Sequence, residues 1–251
     1  MCVPAATVSD ISAPTGNTGA PDPLDVLARG QIEVMGRLPF SSNATMLVSC
    51  RLEGTTALAV YKPVRGERRL WDFPPGLHRR EVATYLLSEA LGWGLVPATV
   101  LRPEAPLGEG SLQLFVDADF EQHYFTLVEH EHHHDALRRM CLFDVLLNNT
   151  DRKSGHCLLG RDDHLWGIDH GLTLSAAFKL RTVIWEFGGE PIPAPLLADV
   201  ARLLAEGLPD ALGALLDPFE RDAVLARARG VLAQPCFPVD RSGRRYPWPL
   251  V

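Results

Sequence analysis

Residues 143–160, FDVLLNNTDRKSGHCLLG, followed by residues 164–171, HLWGIDHG, decide the reading of this chain. An apolar run of helical character stops at a polar cluster, Asn148-Asn149-Thr150-Asp151-Arg152-Lys153. HCLLG and HLWGID then have the form of a short hairpin, which delivers a second carboxylate, Asp169, flanked by Ile168 and followed by His170-Gly171. Two acidic side chains on adjacent turns, one after a helix and one after a strand, can converge at a cleft. One can orient a hydroxyl nucleophile while the other holds Mg²⁺ against a polyphosphate. Taken singly, Asp151 reads as a turn cap and Asp169 as a strand-end residue. Only the set carries weight.

Working upstream, the run ALAVYK ends on Lys62. A lysine after an apolar strand can reach phosphate oxygens from a cleft floor as a point charge, or simply extend its ammonium to water. Lysine is rare here: only Lys62, Lys153 and Lys179 occur, and every other basic residue is arginine. A cleft lysine needs a carboxylate to hold it, and Glu81, at the start of the helical pattern REVATYLLSEALG, is the obvious partner. Further upstream, Gly36–Thr45 forms a small-residue turn between two strands. Its backbone N–H groups and hydroxyls can cradle phosphates, although many hairpin loops share that composition.

The rest of the chain supplies the frame. Residues 1–24 lack periodicity and predict a disordered tail. Asp25 is the expected cap of a short helix, followed by strands around Ile32–Arg37, MLVSCRLEG and TTALAVYKPV. After the helix come VPATVLR and SLQLFVDA. From DALRRMCLFDVLLNN onward the chain turns helical, with further helices in PLLADVARLLAEGL and PFERDAVLARARGVLA. The expected fold class is therefore α+β and two-lobed, with a strand-rich lobe over residues 25–118 and a mostly helical lobe over 119–251.

Composition narrows the function. The 251 residues carry a formal net charge of −7, with 46% hydrophobic and 22% charged residues. That balance argues against a nucleic-acid coat or a polybasic membrane binder. No run approaches the roughly 20 apolar residues of a membrane span. Five cysteines without metal-like pairing read as reduced thiols, and the N-terminal stretch lacks the basic and apolar regions of a secretory signal. Both set the expectation of a cytoplasmic protein. The run His130-Glu131-His132-His133-His134, with His123 nearby, reads as a solvated loop or part of the cleft mouth. At helical spacing only His130 with His133 or His134 could share an ion.

In order, the chain offers a hairpin loop, a strand lysine, a helix glutamate, a hinge, D-x-K-x-x-H and a strand-borne Asp before Gly. That order resembles the protein-kinase-like fold. DRKSGH and IDHG are most similar to the phosphatidylinositol 3-/4-kinase branch and the HipA-like kinases. YKPVRGERRLWDFPPG, RREVATYLLSEALGWGLVPATV and NNTDRKSGH also resemble an actinobacterial family that is itself similar to those kinases. The resemblance spans roughly residues 28–235. It implies an ATP-dependent kinase acting on a hydroxyl of an unknown protein, lipid or small molecule. Lys62 would contact the α/β-phosphates with Glu81 as partner, and Ser41, Ser42 and Asn43 would lie over the phosphates. Asp151 would orient the acceptor hydroxyl, Lys153 would steady the γ-phosphoryl group, and Asp169 would hold Mg²⁺. Adenine would dock at the strand end formed by Leu114, Val116 and Asp117.

His156 falls at the second metal position, where the pattern has Asn. Imidazole suits Mn²⁺ better than Mg²⁺. The exchange leaves open one-metal catalysis, a Mn²⁺ preference, a ligand from Asn148 or Asn149, or a nucleotide-binding scaffold that transfers nothing. Nucleotidyl (AMP) transfer on the same fold is a further alternative.

Overall fold

The computed structural model describes residues 20–38, 44–68 and 70–250. The first helix, α1 (Pro23–Arg29), starts three residues earlier than the Asp25 cap predicted. Asp22 is the cap, its carboxylate accepting from the Leu24 N–H at 3.0 Å. Pro23 explains the difference, because its fixed φ and missing N–H suit the first helical position. Of the expected tail, residues 1–19 lie outside the described residues, whereas Asp22–Leu24 belong to this capped helix.

Five strands follow in one antiparallel sheet of order β1-β2-β3-β5-β4: β1 (Gln31–Arg37), β2 (Met46–Leu52), β3 (Thr55–Pro63), β4 (Thr99–Arg102) and β5 (Gly110–Leu114). β3 sits in the middle, so Lys62 lies near the end of the central strand, paired with Ser111 of β5. Gly110 permits that pairing: a Cβ there would lie 2.5 Å from the Lys62 carbonyl oxygen. Val26 and Leu27 of α1 cover one face of the sheet together with Val48, Ala59, Tyr61 and Leu112. Arg102 fastens α1, donating to the carbonyls of Leu27 and Gly30 at 2.7 and 3.1 Å.

Beyond Leu114 the chain leaves this sheet and enters a small three-stranded one, β6 (Ala118–Asp119), β7 (Cys157–Gly160) and β8 (Leu165–Gly167). The remaining elements are helices: α3 (Tyr124–Leu127), α4 (His134–Leu147), α5 (Ala194–Glu206), α6 (Asp210–Gly213) and α7 (Pro218–Ala233). They enclose a second, larger core that includes Leu137, Phe143, Leu146, Val200 and Val224.

The helix between β3 and β4, α2 (Leu77–Leu91), belongs by sequence to the first half but packs on the second. Its Ala83, Tyr85, Leu87 and Leu91 are part of the larger core. Polar bonds reinforce that docking. Arg80 is buried and donates to the Thr173 carbonyl at 2.5 Å and to the Glu220 carboxylate on α7. The hydroxyls of Thr84 and Thr173 meet at 3.1 Å, and Arg202 of α5 donates to the carbonyls of Ala90 and Leu91. α2 therefore bridges the sheet and the helical half.

Candidate active site

The site starts at the end of α4. Asn148 terminates the helix in the left-handed conformation at φ 51°, which Asn tolerates better than most residues. Its amide donates to the carbonyls of Ser175 and Ala177 and accepts from the Lys179 N–H. Asn149 donates to Asp144 at 2.9 Å and accepts from the Asp151 N–H at 3.0 Å. Both amides are thus committed to holding the loop.

Below the loop lies a buried polar hub that sequence reasoning missed. Asp144 and Arg152 are both fully buried and joined by three hydrogen bonds of 3.0–3.1 Å. Thr182 also donates to Asp144, at 3.0 Å. Arg152 then reaches the carbonyls of His156 and Ile168 at 3.1 and 3.2 Å, and the His170 Nε2 at 2.7 Å. One guanidinium therefore couples the loop carrying Asp151 to the strand end carrying Asp169. A buried ion pair persists when its remaining donors and acceptors are satisfied, as they are here. The available signal was Asp144 itself, a lone carboxylate inside the apolar run LFDVLL.

Asp169 sits in the left-handed region at φ 58°, a conformation that costs a non-glycine residue of order 1 kcal/mol or more. It is held from both sides. Arg152 grips the carbonyl before it, and the His170 N–H after it donates to Glu81 Oε2 at 3.0 Å. The other Glu81 oxygen accepts from Lys62 at 2.5 Å, and Lys62 also donates to Asp169 Oδ1 at 2.8 Å. The structure thus brings Lys62, Glu81 and Asp169 into one chain of charges. Lys62 sits beside Asp169 and holds its carboxyl well below the usual range. Burial acts to lower Lys62, but Asp169 and Glu81 outweigh it and keep the ammonium charged.

His156 closes the constellation. Its Nδ1 lies 2.9 Å from the Asp151 carbonyl oxygen, which can only accept, and 3.4 Å from the Lys153 N–H, which can only donate; the shorter contact assigns the hydrogen to Nδ1. Burial pushes its pKa down to about 4, so the ring is neutral near pH 7 and Nε2 keeps a bare lone pair. That lone pair faces Asp169 Oδ2 at 3.5 Å. Two acceptors facing one another have no hydrogen to share. A divalent cation would complete the pair, and the half-exposed Asp169 carboxylate leaves room for one.

Asp151 and Lys153 pair at 3.3 Å, both partly exposed. Burial raises the Asp151 carboxyl above its ordinary value, with Lys153 opposing and Asp169 adding to the rise. Leu114, Val116 and Asp117 lie along the crossing between the two sheets; the Asp117 side chain points outward to an exposed pair with Arg161 at 3.1 Å. That leaves the backbone of this connection as the part that can serve the site. Ser41, Ser42 and Asn43 lie outside the described residues. The third lysine, Lys179, is structural: it donates to the Asp72 carbonyl at 2.5 Å and lies 4.6 Å over the Phe73 ring.

A two-lobed frame with a strand lysine held by a helix glutamate, and two aspartates after a helix and a hairpin, defines the kinase-like class. A solved structure of hydra Fam20 shares the fold: TM-score 0.54, 12% identity, covering 84% of this chain and 86% of that one. The Helicobacter pylori proinflammatory kinase CtkA aligns with TM-score 0.46 and 12% identity, over 84% of this chain and 94% of that one. The family model described as phosphatidylinositol 3- and 4-kinase matches residues 81–211. Protein Rv2133c of Mycobacterium tuberculosis is 41% identical over 261 residues, covering 89% of this chain and 94% of that protein. The chain belongs to the phosphatidylinositol 3- and 4-kinase family, in a group with Rv2133c. Among the described residues no helix is long and apolar enough to cross a membrane.

Proposed function

We propose that this chain is an ATP-dependent phosphotransferase that moves the γ-phosphoryl group of ATP to a hydroxyl acceptor. The observation that carries the reading is the Lys62–Glu81–Asp169 chain of charges beside the Asp151–Lys153 pair. It combines a positive group for the phosphates, a carboxylate kept ionised, and a partly exposed carboxylate that can face an incoming hydroxyl.

Lys62, fixed by Glu81, neutralises the α/β-phosphates. Asp151 accepts a hydrogen bond from the acceptor hydroxyl and aligns it for in-line attack. Lys153 balances charge on the transferring group. Catalysis is then mostly positioning and electrostatic stabilisation of a loose transition state. Asp169 and His156 are the residues that would hold Mg²⁺ or Mn²⁺, and one oxygen and one imidazole nitrogen fit a divalent ion, with Mn²⁺ the better match. The metal, when bound, supplies neutralisation of phosphate charge.

The test is ATP turnover with the label in the γ or the α position, in Mg²⁺ and in Mn²⁺. The expected result is release or transfer of γ-label only, by the parent chain. Asp151→Ala is expected to bind nucleotide as the parent does and to lose at least about a hundredfold in turnover. Transfer of α-label would mean nucleotidyl transfer instead. Parent-like turnover in both Asp151→Ala and Asp169→Asn would overturn the site, and nucleotide binding without any turnover would leave a scaffold.

A further inference from the structure

The histidine run outside the cleft folds differently from its helical-spacing expectation. Glu131–His133 forms a single 3₁₀ turn, and α4 begins only at His134. His134 turns its Nε2 to the Val128 carbonyl at 2.7 Å and is not among the residues whose ligand atoms converge. His132 and His133 instead lie together, their ring centroids 3.9 Å apart. Asp163 joins them from the turn between β7 and β8. One ligand atom from each of the three residues lies within 4.8 Å of the other two. His133 is buried, at 5% exposure, with its ring against those of His132 and His130. His132 and Asp163 are exposed.

We propose that His132, His133 and Asp163 form a second divalent-cation site, of the zinc class, separate from the cleft. Two imidazoles and one carboxylate, with water in the fourth position, are a zinc-type donor set, and Mg²⁺ with its preference for oxygen is a poor match. Bonds of 2.0–2.1 Å place the ligand atoms of a tetrahedral ion about 3.3 Å apart. Closing from 4.8 Å requires movement of about 1.5 Å or less. His132 and Asp163 can supply it by rotamer changes, while burial fixes His133 as the anchor. The site lies at the outer ends of two elements whose inner ends carry the chemistry: α4 leads to Asp151, and the β7–β8 hairpin leads to Asp169. A bound ion fastens α4 to the hairpin at the side away from the cleft.

The test uses the tag-free full chain, stripped with EDTA and held in excess Mg²⁺, titrated with Zn²⁺ for stability and with Co²⁺ for visible absorption. His132→Ala and Asp163→Ala alter exposed side chains; an unchanged metal-free Tm checks their folding, and Asp163→Ala decides alone if His132→Ala fails that check. The double variant Asp169→Asn/His156→Asn removes the cleft donors. The expected result is one equivalent of Zn²⁺ or Co²⁺ and a raised Tm, alike in the parent and in the double variant. Affinity is expected to fall at least about tenfold in His132→Ala and in Asp163→Ala. No Zn²⁺ response in the parent would overturn the proposal. So would a response that survives in the folded His132→Ala or Asp163→Ala variant, or one that disappears with Asp169→Asn/His156→Asn.

Discussion

His156 shows how one atom's protonation state can decide a site's chemistry. The Asp151 carbonyl fixes the hydrogen on Nδ1, and the free Nε2 is aimed at Asp169. Replacing His156 with Asn exchanges a nitrogen donor for an oxygen, so His156→Asn should shift nucleotide binding from Mn²⁺ towards Mg²⁺. The ratio of ATP affinities in the two metals reads this directly, and an unchanged ratio would remove His156 from the metal's surroundings. Asp144 acts one layer deeper. Asp144→Ala leaves the Arg152 guanidinium buried without its carboxylate, a loss expected to cost about 3–5 kcal/mol in urea unfolding. A cost under about 1 kcal/mol would mean that water or another acceptor replaces Asp144.

At the scale of elements, the position of α2 matters most. It carries Glu81 to Lys62, yet its packing and its Arg80–Glu220 pair tie it to the helical half. The Lys62–Glu81 pair is therefore held by the packing of α2 on the helical half. Glu220→Ala should destabilise by about 3 kcal/mol or more and weaken ATP binding through the displaced Glu81, while Arg80→Met/Glu220→Leu should recover most of the stability. Additive losses in a double-mutant cycle would show that the two residues act independently. The sequence pointed to Lys62, Glu81, Asp151 and Asp169, which stand out by type, order and the scarcity of lysine, and the structure brings Lys62, Glu81 and Asp169 into contact. The sequence did not show how α2 docks. The helix buries Arg80, Glu81, Thr84 and Ser88 along with its apolar residues, so no clean stripe marks the buried face. The Asp144–Arg152–Thr182 hub was hidden for a related reason: its members lie up to 38 residues apart and meet only through tertiary contact. The histidine run precedes α4 as a 3₁₀ turn, so α-helical spacing does not set which of its rings come together.

For the whole molecule, the central claim is that a nucleotide and a divalent cation share the cleft between the sheet and the helical half, with Lys62 above and Asp169 below. A ligand that binds only the folded chain raises its stability by an amount set by its concentration and affinity. Asp169 is the residue through which metal and nucleotide are expected to act together. It lies at the exposed end of the Lys62–Glu81 chain, and Lys62 remains paired with Glu81 when the Asp169 charge is removed. The measurement is a thermal-shift titration with ATP in Mg²⁺, Mn²⁺ or EDTA, on the parent and on Asp169→Asn. The account predicts a rise in Tm that requires metal, is larger in Mn²⁺, and disappears in Asp169→Asn. No shift under any condition, or an equal shift in Asp169→Asn, would contradict it.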